Sequence, residues 1–281
     1  MRYGNCVSFK DLDRIKALKA VGFDYVETGL SGLYGASAEE VEAFARVTKE
    51  NGIPCEAVNV FYPTDLSIVG EAVDLAKIRE YVEAAWEKVK SVGIKVAVFG
   101  SGPSRKCPEG FPRERAVEQL ITVAREIMCP AAEKYGFTIA IEPLYSVATN
   151  TMNNFSEAEY VAEQVNHERL KMLADIYHMA YENDTFANLK NHASLAHCHI
   201  SDPITRKYPH KTDPPKHIEI CRQFFADLRG MGYNARMSIE AELANMTPPD
   251  TFELPEGIDP IYRSFYFEAM SSLQFLKDLE C

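Results

Sequence analysis

The chain is 281 residues long, 46% hydrophobic and 25% charged, with a formal net charge of −11. Its acidic balance argues against a phosphate-backbone binder and against an anionic membrane surface, so neither nucleic acid nor membrane is an expected partner. The length suits one barrel domain over residues 1–281, able to bury a full core without staples.

The predicted elements alternate along the whole chain. A strand is expected over residues 2–7. A helical stretch then ends at Ala20-Val21-Gly22-Phe23, where Gly just past a helix is a C-cap signal. A second strand follows over 24–27 and ends on Glu27. Ser37-Ala38-Glu39-Glu40 opens a helix over 38–51 with a capping residue and acidic first turn. Asn51-Gly52-Ile53 leads into a strand over 55–59, and a helix over 71–92 ends at Ser91-Val92-Gly93-Ile94. The strand over 95–99 runs into Gly100-Ser101-Gly102-Pro103-Ser104-Arg105. A helix over 113–135 ends at Lys134-Tyr135-Gly136-Phe137, followed by a strand over 138–142. A helix over 156–165 and strands over 170–175 and 195–200 come next. The loop 201–215, with four prolines, has the character of a lid. A helix over 217–230, a strand over 235–240 and a helix over 261–279 complete the chain.

The strand runs are apolar throughout, as in Val96-Ala97-Val98-Phe99, which suits strands buried on both faces of a parallel sheet. Eight strands alternating with helices give the (β/α)₈ TIM-barrel count, read as a single domain. The rival, an open doubly wound sheet, lacks a GxGxxG after its first strand. Seven cysteines, odd in number, widely spaced and without CxxC, are expected as reduced thiols. With no leader-like run after Met1 and no long apolar stretch, the expected location is cytoplasmic.

In a barrel, chemistry belongs at the C-terminal ends of the strands. Strand five ends Ile141-Glu142, strand six Ala174-Asp175, strand seven His197-Cys198-His199-Ile200, and strand eight Ile239-Glu240. Each of these alone reads as a helix cap, an ion-pair partner or a core histidine. Four on consecutive strand ends point to one site. Carboxylates converging at the end of apolar runs are costly unless paired or coordinated, and a divalent cation removes the conflict. The expected metal ligands are therefore Glu142, Asp175, His199 and Glu240. Two-residue periodicity places His197 one layer deeper, and Glu242 competes with Glu240 on strand eight. The oxygen-rich set points to one divalent ion, Mn²⁺ first, with Mg²⁺, Co²⁺ or Zn²⁺ as other occupants. Glu27, His178, Arg206 and Arg105 are candidates to line the mouth, with solvated surface as the alternative for Arg206 and an incidental turn for Arg105. The loop bearing Arg105 could cradle an oxyanion through its backbone.

Ile141-Glu142-Pro143-Leu144, Asp175-Ile176-Tyr177-His178-Met179, His197-Cys198-His199-Ile200-Ser201-Asp202 and Ser238-Ile239-Glu240 resemble the sugar phosphate isomerase/epimerase family. Its members are xylose-isomerase-like barrels and include ketose 3-epimerases of the D-tagatose/D-psicose type. The resemblance implies that Glu142, Asp175, His199 and Glu240 hold the metal and that Glu142 and Glu240 are also the catalytic pair. It implies substrate contacts for His178 and Arg206. The chain departs from the ketose epimerases after strand five, where they carry a sugar-binding carboxylate and this run is Tyr145-Ser146-Val147-Ala148.

The implied activity is a metal-dependent carbohydrate isomerase or epimerase that moves a proton α to a carbonyl through an enediolate. The implied partner is a sugar or keto-sugar, and a homo-oligomer is compatible with the family. Three other readings stay open: a lyase on the same site (inosose dehydratase or 3-keto-sugar β-eliminase), an AP-endonuclease-like phosphodiesterase, and a non-catalytic binding barrel.

Overall fold

A computed structural model describes residues 1–281. Eight parallel strands close in sequence order: β1 (Arg2–Cys6), β2 (Tyr25–Gly29), β3 (Cys55–Asn59), β4 (Val96–Phe99), β5 (Thr138–Ile141), β6 (Leu170–Asp175), β7 (Leu195–Ile200) and β8 (Arg236–Ile239). Closure is made by β1 pairing with β8, Gly4 opposite Ser238. The expected (β/α)₈ architecture is therefore the observed one.

Ten α-helices surround the barrel: α1 (Leu12–Val21), α2 (Leu30–Gly35), α3 (Ala38–Glu50), α4 (Leu75–Val89), α5 (Arg113–Val123), α6 (Cys129–Tyr135), α7 (Phe155–Val165), α8 (Ile176–Glu182), α9 (Pro215–Gly230) and α10 (Arg263–Glu280). The capping box on Ser37 forms as its sequence foretells, with Glu40 reaching back to the Ser37 N–H. The stretch 113–135 is interrupted by a π-turn, Ala124–Met128, between α5 and α6. Helix α4 starts later than expected because Asp74 caps the N–H groups of Ala76 and Lys77. None of the helices is long and apolar enough to cross a membrane.

The main apolar core lies between sheet and helices. A second, small cluster sits inside the barrel: Tyr25, Ala57, Val96, Val98, Ala140 and Leu173. These inward positions set the parity of everything above them. Two residues further along each strand, the inward position is Glu27, Asn59, Gly100, Glu142 or Asp175. The barrel is thus apolar on one side of its lower interior and polar at its C-terminal end. Gly4 permits this filling, because a Cβ there would lie 2.3 Å from the Tyr25 ring.

Candidate metal centre

Glu142 and Glu240 stand one residue beyond β5 and β8, Asp175 ends β6, and His199 lies near the end of β7. Their ligand atoms all lie within 4.8 Å of one another. His199 Nδ1 is 3.1 Å from Glu142 Oε1, 3.2 Å from Glu240 Oε2 and 3.8 Å from Asp175 Oδ2. The structure thus gathers the four expected ligands into one cluster, and Glu242 is not among them. His199 is fully buried, Asp175 and Glu142 almost so, and the Glu240 side chain is 24% exposed. The centre is closed below and open at the mouth.

Three carboxylates so close repel one another unless positive charge is present. Within the chain that charge comes from Arg206 and His199. Arg206 Nη1 donates to Asp175 Oδ2 at 3.3 Å, and Nη2 donates to Glu240 Oε2. Burial works against charge on the His199 ring, but Glu27, Glu240 and hydrogen bonds to Glu142 and Glu240 outweigh it and raise its pKa well above the ordinary value. Burial also works against ionised Asp175 and Glu240. Neighbouring His178, His199 and Arg206 outweigh it and hold Asp175 below its usual range, and His199 and Arg206 do the same for Glu240.

Asp175 divides its carboxylate. Oδ1 caps α8 by accepting from the N–H groups of Tyr177 (2.8 Å) and His178 (3.2 Å), and Oδ2 faces the cluster. The cap reading of a strand-end carboxylate is thus realised by one oxygen, and the other is left facing the cluster.

His178 is placed by that same turn. The Tyr145 N–H donates to its Nδ1 at 3.4 Å, which leaves the ring proton on Nε2, 3.9 Å from both Glu142 and Asp175. The Tyr145 ring stacks on His178 with centroids 5.1 Å apart. Arg206 reaches the mouth from a tight turn: Asp202 Oδ1 accepts from the N–H groups of Ile204 and Thr205, and Arg206 itself has φ of 57°. Its guanidinium lies 4.9 Å from the Tyr177 ring centroid.

Two expected mouth residues sit elsewhere. Strand β2 continues through Gly29, so Glu27 is mid-strand and fully buried, bonded to His197, His199 and Ser238. Arg105 is also fully buried: its Nη2 donates to the Glu142 carbonyl at 2.8 Å, and its guanidinium lies 5.7 Å from the Phe99 centroid. Burial lowers its pKa to about 10, against the pull of Glu142 and Glu157. The Gly100–Arg105 loop supports the site from behind. Within that loop, Ser101 Oγ accepts the Tyr62 N–H at 2.9 Å.

Sequence reasoning passed over Asn59, whose Nδ2 donates to Glu240 Oε1 at 3.2 Å, and the Tyr145 and Tyr177 rings. Asn59 ends an expected strand, and an inward polar residue at that place was the available signal.

The chain is thus a closed barrel with carboxylates and a histidine gathered from four successive strand ends. Residues 15–263 match the family model described as xylose isomerase-like TIM barrel, and the chain belongs to that family. It is 24% identical over 251 residues to the 3-dehydro-D-guloside 4-epimerase of Escherichia coli (strain K12), covering 86% of this chain and 90% of that protein. Among solved structures it resembles D-psicose 3-epimerase determined with D-fructose (TM-score 0.76, 19% identity, 100% and 99% of the two chains). It also resembles apo 3-keto-D-glucoside 4-epimerase from E. coli (TM-score 0.73, 20% identity, 99% of each chain).

Proposed function

We propose that the protein is a metal-dependent keto-sugar epimerase or isomerase, with one divalent ion held by Glu142, Asp175, His199 and Glu240. The observation that carries this is the convergence of three carboxylates on His199 Nδ1 at an open barrel mouth. The donor set, three carboxylates and one imidazole, fits Mn²⁺ first, then Mg²⁺, Co²⁺ or Zn²⁺. A second group of possible ligands, Cys6, Glu27 and His199, shares His199 with the first.

When bound, the ion supplies a Lewis acid that polarises a substrate carbonyl and makes the neighbouring C–H acidic. The chain supplies the rest. One of Glu142 and Glu240 takes the proton from carbon onto a carboxylate oxygen. The other, protonated, returns a proton to the opposite face of the enediolate, which inverts that carbon. Return to the adjacent carbon gives isomerisation from the same groups. His178, through its Nε2 proton, and Arg206 hold substrate oxygens. The E. coli relative acts on a 3-dehydro-sugar glycoside by its name, and a substrate of that chemical type is the first to examine.

A β-elimination remains the second reading, because Tyr145–Ala148 brings no carboxylate to the mouth to hold a free ketose. The test is a panel of ketoses, keto-inositols and 3-keto-glycosides in D₂O with Mn²⁺. Deuterium at the carbon next to the carbonyl with an epimeric product is expected. An unsaturated product would establish the lyase, and no exchange with any substrate would sink both.

A further inference from the structure

Beneath the proposed centre lies a buried polar network that the proposed reaction does not itself use. Glu27 Oε1 is 3.0 Å from His199 Nε2, and Oε2 is 2.8 Å from His197 Nε2. Ser238 Oγ lies 2.7 Å from Oε2, and the Tyr25 hydroxyl lies 2.9 Å from Ser238 Oγ. Glu27, His197, His199, Ser238 and Tyr25 are all fully buried, so water does not compete for these bonds. Three strands, β2, β7 and β8, contribute. The carboxylate is gripped on both oxygens and cannot swing away.

We infer that Glu27 is a positioning residue that fixes His199 as an Nδ1 ligand by holding the proton of the ring on Nε2; the inference rests on the metal centre proposed above. A carboxylate only accepts, so both histidines must present Nε2–H to it. The consequence for His199 is specific. On its other side, Nδ1 faces Glu142 and Glu240 at 3.1 and 3.2 Å, two acceptors that attract a proton to Nδ1. A neutral imidazole has one proton for two nitrogens. If it sits on Nδ1, the ring cannot bind a cation from the mouth. Once a cation displaces the second ring proton, Glu27 tips that competition and leaves the Nδ1 lone pair directed into the cluster. It also adds negative charge behind the ring and so strengthens the ring as a donor.

The test uses the full-length protein and two probes, Mn²⁺ for affinity and Co²⁺ for proton NMR in water. Wild type is expected to bind one ion and, with Co²⁺, to show a hyperfine-shifted, solvent-exchangeable ring proton that is slow to exchange: His199 Nε2–H. Glu27→Gln removes the charge at constant shape. Its Mn²⁺ affinity is expected to fall about 10–100-fold, and the proton signal should move or broaden into solvent exchange. Ser238→Ala, which loosens the grip on Glu27 while leaving its charge, should give a smaller loss in the same direction and serves if Glu27→Gln does not fold. Wild type that binds one ion, with variants that match it within about twofold and an unchanged signal, would overturn the role of Glu27 alone. Wild type that binds no ion would overturn the metal centre and this inference together. A merely structural Glu27 would change thermal stability without moving the proton signal.

Discussion

Glu142 rests directly on Gly100: a Cβ placed on that glycine would lie 2.3 Å from Glu142 Oε2. The neighbour at risk is a proposed ligand and acid/base, not a flexible surface chain. Gly100→Ala must displace it. Because a shift of about 1 Å can cost about 100-fold in rate, turnover of the proposed keto-sugar substrate should fall by that order while the fold persists. Wild-type kcat in this variant would show that Glu142 can move without consequence.

Glu240→Gln keeps the size of the side chain and can still accept the Asn59 hydrogen bond. It removes the proton-transfer function. Turnover is expected to drop by about 10²–10⁴-fold or more, with circular dichroism unchanged. Activity near wild type would remove Glu240 from the chemistry.

Asp175→Asn separates the two tasks of that side chain. Asn is as good a helix cap as Asp, so α8 should stay formed and stability should stay within about 1 kcal/mol. The ligand charge is lost, so metal per chain, read by elemental analysis, should fall. Unchanged metal content would count against Asp175 as a ligand.

Arg206→Lys preserves charge but not the fork that joins Asp175 to Glu240. A point charge cannot reproduce two directed bonds. We expect kcat/KM to fall about 10–100-fold, chiefly through KM, with metal content unchanged. Full activity would place Arg206 outside substrate binding.

The pH dependence follows from His199, whose metal-free imidazole is raised above its ordinary value, burial opposing and Glu27 and Glu240 prevailing. A raised folded-state value means stability that is complete below the unfolded value of about 6.5 and is lost as pH rises through the folded value. Metal binding must displace a proton from this ring. Affinity for Mn²⁺ should therefore climb with pH, by up to about tenfold per unit until the folded value is passed, and calorimetry in buffers of different ionisation enthalpy should report proton release. Affinity independent of pH above about 6.5 would contradict this.

The barrel was legible because its strands are uniformly apolar and its helices end on glycine. Glu142, Asp175, His199 and Glu240 were legible because each breaks an apolar run at its end. Glu27 reads as a mouth residue for the same reason, and Arg105 as the cation of a small-residue loop; the geometry buries both. One strand boundary two residues further on turns Glu27 from a rim residue into a buried one. Arg105 follows a loop that turns its side chain to the Glu142 carbonyl, and nothing in Gly100–Ser104 states that direction. Asn59 carries the strand-end signal, but its pairing with Glu240, like that of Tyr145 with His178, joins residues that local pattern does not connect.

Asp175 caps α8 with one oxygen and keeps the other for the centre. The helix that carries Tyr177, His178 and Tyr181 is therefore held without the ion. Small domains that fold only around a metal behave otherwise, since there loading and folding are one event. Here a newly made chain would wait as a finished receptor. On the proposed metal dependence, its appearance as an active enzyme would be timed by ion supply, and an ion withdrawn could be restored without rebuilding the wall around it.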